Sequence, residues 1–239
     1  MEYGIQLYSV RDEMKNDVAA CLAKIAALGY KTVEFAGFFG HSPAEITEML
    51  AANGLKLSGT HTGLAELVEN YDKTLAYHKA IGNRYYIIPG HDLSTQGKID
   101  EFVAQVNEIQ PKLAAEGITL AFHNHSREFL PNEDGSVSYD DITNKTKLAL
   151  EIDTYWAYVA GKDPLALMEQ LKDRLVFIHL KDGTSAGEGF PLGMGTAPAA
   201  DVYRKAVAMG VPIVVESETQ KPDGFTEAEI CMAFMKGLE

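Results

Sequence analysis

The side chains with the most chemistry to offer stand at the ends of short apolar runs: Glu34, His61, His123 and His125, Glu151 and Asp153, His179 and Lys181, Glu216 and Glu218. Residues two apart on a strand share a face, so each of the last four pairs can point to the same side. Imidazole nitrogens and carboxylate oxygens converging from consecutive strands make a mixed donor set suited to a borderline divalent ion such as Mn²⁺, Zn²⁺ or Co²⁺. Taken singly, Glu151 and Glu218 read as helix caps or solvated loop residues. Asp153, His179 and Glu216 carry more weight, because a polar group ending an almost wholly apolar strand must find a partner or stay wet. His78 and His91 read as surface residues, His41 as local structure and His125 as a support for its neighbour.

The elements that must position these groups repeat eight times as a β-rich run followed by an amphipathic stretch. Strands are predicted over 3–8, 31–36, 56–60, 84–89, 118–123, 148–152, 175–180 and 212–215. Helices are predicted from 18 to Gly29, from a Ser42-Pro43-Ala44-Glu45 capping box to Gly54, through Leu75 and Ile81, and over 99–115, 163–171, 197–209 and 226–235. After strand five, Asp134-Gly135 turns into a short helix. Continuous apolar runs such as Leu175–Ile178 suit parallel strands buried on both faces. Tyr8-Ser9-Val10-Arg11 replaces the glycine-rich phosphate loop that an open doubly wound sheet would carry after its first strand. The expectation is one (β/α)8 barrel over 1–239, an α/β fold whose chemistry sits at the C-terminal ends of the strands.

With Lys+Arg 21 against Asp+Glu 34, the net charge of −13 opposes a nucleic-acid partner. The 46% hydrophobic content is that of an ordinary globular protein. Cys21 and Cys231 read as buried free thiols, and no apolar stretch of about eighteen residues suggests a membrane span, so a reducing cytoplasmic setting is expected.

Five segments, Gly4–Asp12, Gly29–Phe35, Phe122-His123-Asn124-His125, Ile152–Trp156 and His179-Leu180-Lys181-Asp182, resemble the sugar phosphate isomerase/epimerase subgroup of the xylose isomerase-like TIM barrels. The resemblance spans almost the whole chain. It implies one divalent ion (Mn²⁺, Zn²⁺, Co²⁺ or Mg²⁺) held by a Glu, an Asp, a His and a Glu from strands five to eight. Asp153, His179 and Glu216 match, whereas strand five offers His123, followed by His125 and Glu128. Family epimerases use two glutamates as acid and base on opposite faces of an enediolate, so the departure bears on mechanism. The expected activity is a metal-dependent sugar isomerase or epimerase. The alternatives are a lyase or hydrolase acting on a keto-sugar or 3-keto-glycoside, and a non-catalytic sugar-binding barrel.

Within that frame Glu216 is the expected base, His123 a ligand or second acid/base, and Lys181 an oxyanion or hydroxyl contact. His61 and Glu34 would orient hydroxyls, His125 would line the substrate site, and Tyr8 and Trp156 would stack on a sugar ring. Glycines at 187, 189, 193 and 195 lie where barrels often bind phosphate, but the charge of Glu188 there favours a neutral sugar, keto-sugar or inositol derivative. A homodimer is expected by resemblance only. The DNA-repair branch of the superfamily is disfavoured by the acidic charge.

Overall fold

The computed structural model describes residues 2–239. Eight parallel strands close into a barrel: β1 (Gly4–Gln6), β2 (Thr32–Ala36), β3 (Lys56–His61), β4 (Tyr85–Ile88), β5 (Thr119–His123), β6 (Ala149–Asp153), β7 (Leu175–Leu180) and β8 (Ile213–Val215). Each pairs with its neighbours in sequence, and β8 pairs with β1 through Gly4↔Val214 and Ile5↔Val215. The predicted (β/α)8 architecture is therefore present.

Local chemistry sets the helix ends. Asp17 Oδ1 accepts from Ala20 N at 2.9 Å to open Val18–Leu28, and Gly29 ends that helix at φ 108°. Ser42 and Glu45 form the expected capping box before Pro43–Ala52. The helices and the outer faces of the strands share the main apolar core, which includes Ile5, Val33, Phe35, Tyr86, Phe122, Ile152 and Ile178. Inside the barrel a smaller, separate plug of Ile87, Ala121, Phe177 and Val214 supports the polar layer above it.

Two register irregularities bear directly on that layer. The β2–β3 pairing shifts between Val33 and Glu34, and the β6–β7 pairing shifts between Leu150 and Glu151. Such bulges re-aim the next side chain, and here each precedes an inward-facing carboxylate. Gly59 clears space for one of them, since a Cβ there would lie 2.8 Å from Ile87 Cδ1 and 3.3 Å from Glu34 Oε2.

The structure departs from the sequence pattern in four places. β1 stops at Gln6 because the Gln6 side chain turns back to accept from Tyr8 N at 3.0 Å, starting a short 3-10 turn over Leu7–Val10. The third connection holds two helices, Leu64–Glu69 and Tyr71–Ala80. An unpredicted helix, Thr154–Val159, follows β6 directly. His78, expected at the surface, is buried, with Nδ1 3.0 Å from Asn83 Nδ2 and the ring packed on Phe38 and Tyr86. Cys21 and Cys231 are buried free thiols, as expected. No described helix is long and apolar enough to cross a membrane.

Burial lowers the His78 pKa to about 4. The unfolded chain, with a value near 6.5, takes up this proton first as pH falls, so the stability from a neutral His78 is complete above pH 6.5 and lost towards pH 4. His78→Gln should remove about 2 kcal/mol of the stability difference between pH 7 and pH 5, read from urea unfolding. An unchanged difference would show that His78 is not buried neutral.

Candidate functional site

Two stacked layers of polar side chains fill the C-terminal end of the barrel. In the inner layer Glu34 Oε1 accepts from Gln6 Nε2 at 2.6 Å and lies 3.0 Å from both His61 Nε2 and His179 Nε2. Glu151 Oε2 lies 2.7 Å from His61 Nε2, 3.2 Å from His179 Nε2 and 3.2 Å from His123 Nδ1. Both glutamates are fully buried. Burial alone would raise Glu34, but His61 and His179 outweigh it and hold its carboxyl well below the usual range. Burial would likewise lower His61, yet Glu34 and Glu151 raise it to about 10. His179 is raised for the same reason, mainly by Glu151 against burial.

In the outer layer His123, Glu216 and Glu218 line a cavity, while Asp153, His179 and Lys181 are buried beside them. Donor atoms of His123, Asp153, His179 and Glu216 all lie within 4.8 Å of one another. Lys181 Nζ sits 3.0 Å from Glu216 Oε2, 3.0 Å from Glu218 Oε1 and 3.7 Å from Asp153 Oδ2. Burial opposes charge on Glu216, but Lys181 and His179 keep its carboxyl ionised. Glu216, followed by Asp153 and Glu218, holds the Lys181 ammonium protonated against burial. Burial drives His123 well below the ordinary histidine value, leaving it neutral and able to offer a lone pair.

The two oxygens of Asp153 have different surroundings. Oδ1 caps the following helix by accepting from Trp156 N at 2.8 Å, while Oδ2 is buried without a hydrogen-bond partner. Burial raises its pKa to about 7 despite Lys181 and His179. Together the two layers bring five carboxylates, Glu34, Glu151, Asp153, Glu216 and Glu218, to the Lys181 ammonium and the raised histidines His61 and His179, with one Asp153 oxygen orphaned, and that shortage of positive charge fits a divalent cation. The two-nitrogen, two-carboxylate donor set fits a borderline ion. Glu151 would act on such a centre from behind. By holding His123 Nδ1 and His179 Nε2, it leaves His123 Nε2 and His179 Nδ1, the latter 3.3 Å from Glu216 Oε2, as the nitrogens that would ligate. Glu151→Gln should weaken metal affinity by about 10- to 100-fold in a chelator-competition titration. Unaltered affinity would remove this orienting role.

The other expected site residues are distributed unevenly. A cavity of about 400 Å³ over the cluster is lined by Tyr8, His61, His123, His125, Glu216 and Glu218, with Ala36 and Pro89. Glu34 lies beneath this cavity and does not line it, so it reaches hydroxyls only through His61. Trp156 also stands behind it, with its ring centroid 5.0 Å from Lys181 Nζ. Glu128 braces the His125 backbone N at 2.8 Å and takes no part in the cluster. Glu151 and Glu218 acquire their prominence only in three dimensions.

Two features of the surrounding loops concern what the cavity admits. After β7, the Asp182 carboxylate accepts from Gly183 N, Gly193 N, Gly195 N and Ala197 N at 2.7, 2.9, 3.1 and 3.1 Å. The glycine-rich loop therefore turns its amides onto the protein's own carboxylate. Among the described residues, the exposed large apolar side chains are Tyr8, Phe39, Val68, Leu130, Met194 and Val207. All but Val207 lie on segments that follow the C-terminal ends of strands, and of these Tyr8 lines the cavity.

The family described as xylose isomerase-like TIM barrel matches residues 22–236. The inosose dehydratase of Bacillus velezensis is 24% identical over 245 residues, covering 85% of this chain and 82% of that protein. A solved sugar phosphate isomerase/epimerase from Parabacteroides distasonis superposes with TM-score 0.84 at 24% identity, covering 98% of this chain and 96% of that one. The probable 3-DHS dehydratase of Bacillus anthracis superposes with TM-score 0.80 at 11% identity, covering 99% of each chain.

Proposed function

The chain belongs to the xylose isomerase-like TIM-barrel family, and from that premise we propose that it is a divalent-metal-dependent enzyme that removes the proton beside the carbonyl of an unphosphorylated keto-sugar or keto-polyol. The convergence of His123, Asp153, His179 and Glu216 donor atoms within 4.8 Å, with Lys181 resting on the base, carries this reading. A C–H beside a carbonyl is too weak an acid for an unaided side chain. A divalent ion bound by these four residues would supply Lewis-acid stabilisation of the charge developing on oxygen.

Glu216 is the base. Its carboxylate takes the proton, the C–H pair becomes the C=C bond of an enediolate, and Lys181, which stays an ammonium, donates to the oxygen that gains charge. His123 stays neutral with Nδ1–H directed to Glu151, so it is suited to ligation rather than to proton return. With one committed carboxylate, elimination is the most economical completion. The electron pair expels a neighbouring hydroxyl, Glu216 hands its proton to that oxygen as the C–O bond breaks, and water leaves. The relatives named inosose dehydratases support this lyase reading.

Epimerisation or isomerisation is the second reading, favoured by Glu218. It lies 3.0 Å from Lys181 Nζ at the cavity wall and would provide the second carboxylic acid that return of a proton requires. The loop's amides at Gly183, Gly193, Gly195 and Ala197, already taken by Asp182, support a neutral substrate in either case.

Mn²⁺-loaded protein incubated in D₂O with keto-inositols, ketoses and 3-keto-glycosides, followed by NMR, tests the proposal. Deuterium at the carbon beside the carbonyl together with loss of water or alcohol supports the lyase reading. Deuterium exchange without bond cleavage supports the epimerase reading. No exchange in any substrate, with metal bound, would overturn both.

A further inference from the structure

A second cavity of about 400 Å³ opens beside the first, and His61 lines both. Its character is different. Phe38 and Tyr77, packed at 4.5 Å between ring centroids, also line it, together with Glu66 and Lys73. A Cβ added at Gly63 meets nothing within 4 Å, so that part of the wall is open space.

The segment that brings Phe38 here is held in an unusual shape. Gly37 and Gly40 have φ of 87° and 81°, and between them Phe39 sits at φ 53°, a conformation that bulky residues rarely adopt. Backbone of this kind persists where the surroundings demand it, and it clusters at ligand sites. The turn directs Phe38 against Tyr77 and leaves Phe39 exposed. The polar cluster has no use for such a surface, because hydroxyl recognition needs donors and acceptors. A flat apolar group attached to the ring held at the cluster would find aromatic faces together with His61.

We propose that this cavity is a subsite for an aromatic substituent, so that the substrate is an aryl-substituted keto-sugar, such as an aryl keto-glycoside, rather than a free monosaccharide. The inference rests on the proposed placement of the polyhydroxylated ring at the metal cluster. Continuity through His61 sets the order: ring over His123 and Glu216, aryl group against Phe38 and Tyr77.

Phenyl and methyl β-glucosides test this without turnover, since neither carries a carbonyl. Calorimetric titration of the metal-loaded protein should show phenyl β-glucoside binding at least about 10-fold more tightly than the methyl compound. Phe38→Ala, which removes the wall, and Gly63→Leu, which fills the open space, should each bring that ratio below about 2. If Phe38→Ala does not fold, Gly63→Leu decides. Equal affinities in the wild-type protein, failure of both glucosides to bind, or an aromatic preference that survives in the folded variants would overturn the subsite. Deuterium exchange separates this from the reaction itself. An aromatic preference without exchange leaves the subsite and removes the proposed chemistry, and exchange without the preference does the reverse.

Discussion

Glu216→Gln should lower kcat by about 10³-fold, within the range expected for loss of a positioned general base. The amide keeps the size of the side chain and one oxygen donor but cannot accept a proton at neutral pH. Lys181 loses its 3.0 Å contact with a carboxylate, yet Glu218 at 3.0 Å and Asp153 at 3.7 Å still neutralise it. The variant should therefore unfold within about 2 kcal/mol of the wild type, well short of the cost of stranding a buried charge. Rates should be measured at saturating metal, so that a change in affinity does not pass for a change in chemistry. Near-normal turnover under those conditions would remove Glu216 as the base and leave it at most a ligand.

Asp153→Asn should reduce bound metal from about one ion per chain to less than about a tenth while leaving the barrel folded. An asparagine oxygen can still accept from Trp156 N, so the cap on Thr154–Val159 survives and the lost charge is isolated. Asp153→Ala loses cap and charge together, and should be less stable than Asp153→Asn by about 1 kcal/mol. In metal-free protein the asparagine variant should be at least as stable as the wild type near pH 8, because burial makes a carboxyl with a pKa of about 7 costly to ionise. Metal analysis by mass spectrometry alongside thermal unfolding reads both effects. Full metal content in Asp153→Asn would eliminate the residue as a ligand.

The barrel was legible because each strand–helix unit carries its own punctuation: apolar runs, Ser42 and Asp17 as caps, Gly29 as a stop. His179 and Glu216 were legible because each follows a run with no polar member, and Asp153 because it ends a strand that is apolar apart from Glu151. Glu151 was not. In sequence it is one strand-end acid among several, and only the register shift before it, together with three converging histidines, places it at the centre. His78 was obscured by Lys79 beside it and by a helix whose polar character hides which side packs inward. The role of Asp182 depends on a loop returning from residues 193 to 197, a contact no local pattern encodes.

That returning loop ties selectivity to folding. Four main-chain donors are already saturated when the loop closes on Asp182, so under the proposed function those amides would be closed to a phosphorylated substrate by a piece of the protein's own architecture and not by a repelling side chain at the entrance. Selectivity of that origin would vary less with ionic strength than surface repulsion does, and relaxing it would mean loosening the loop itself.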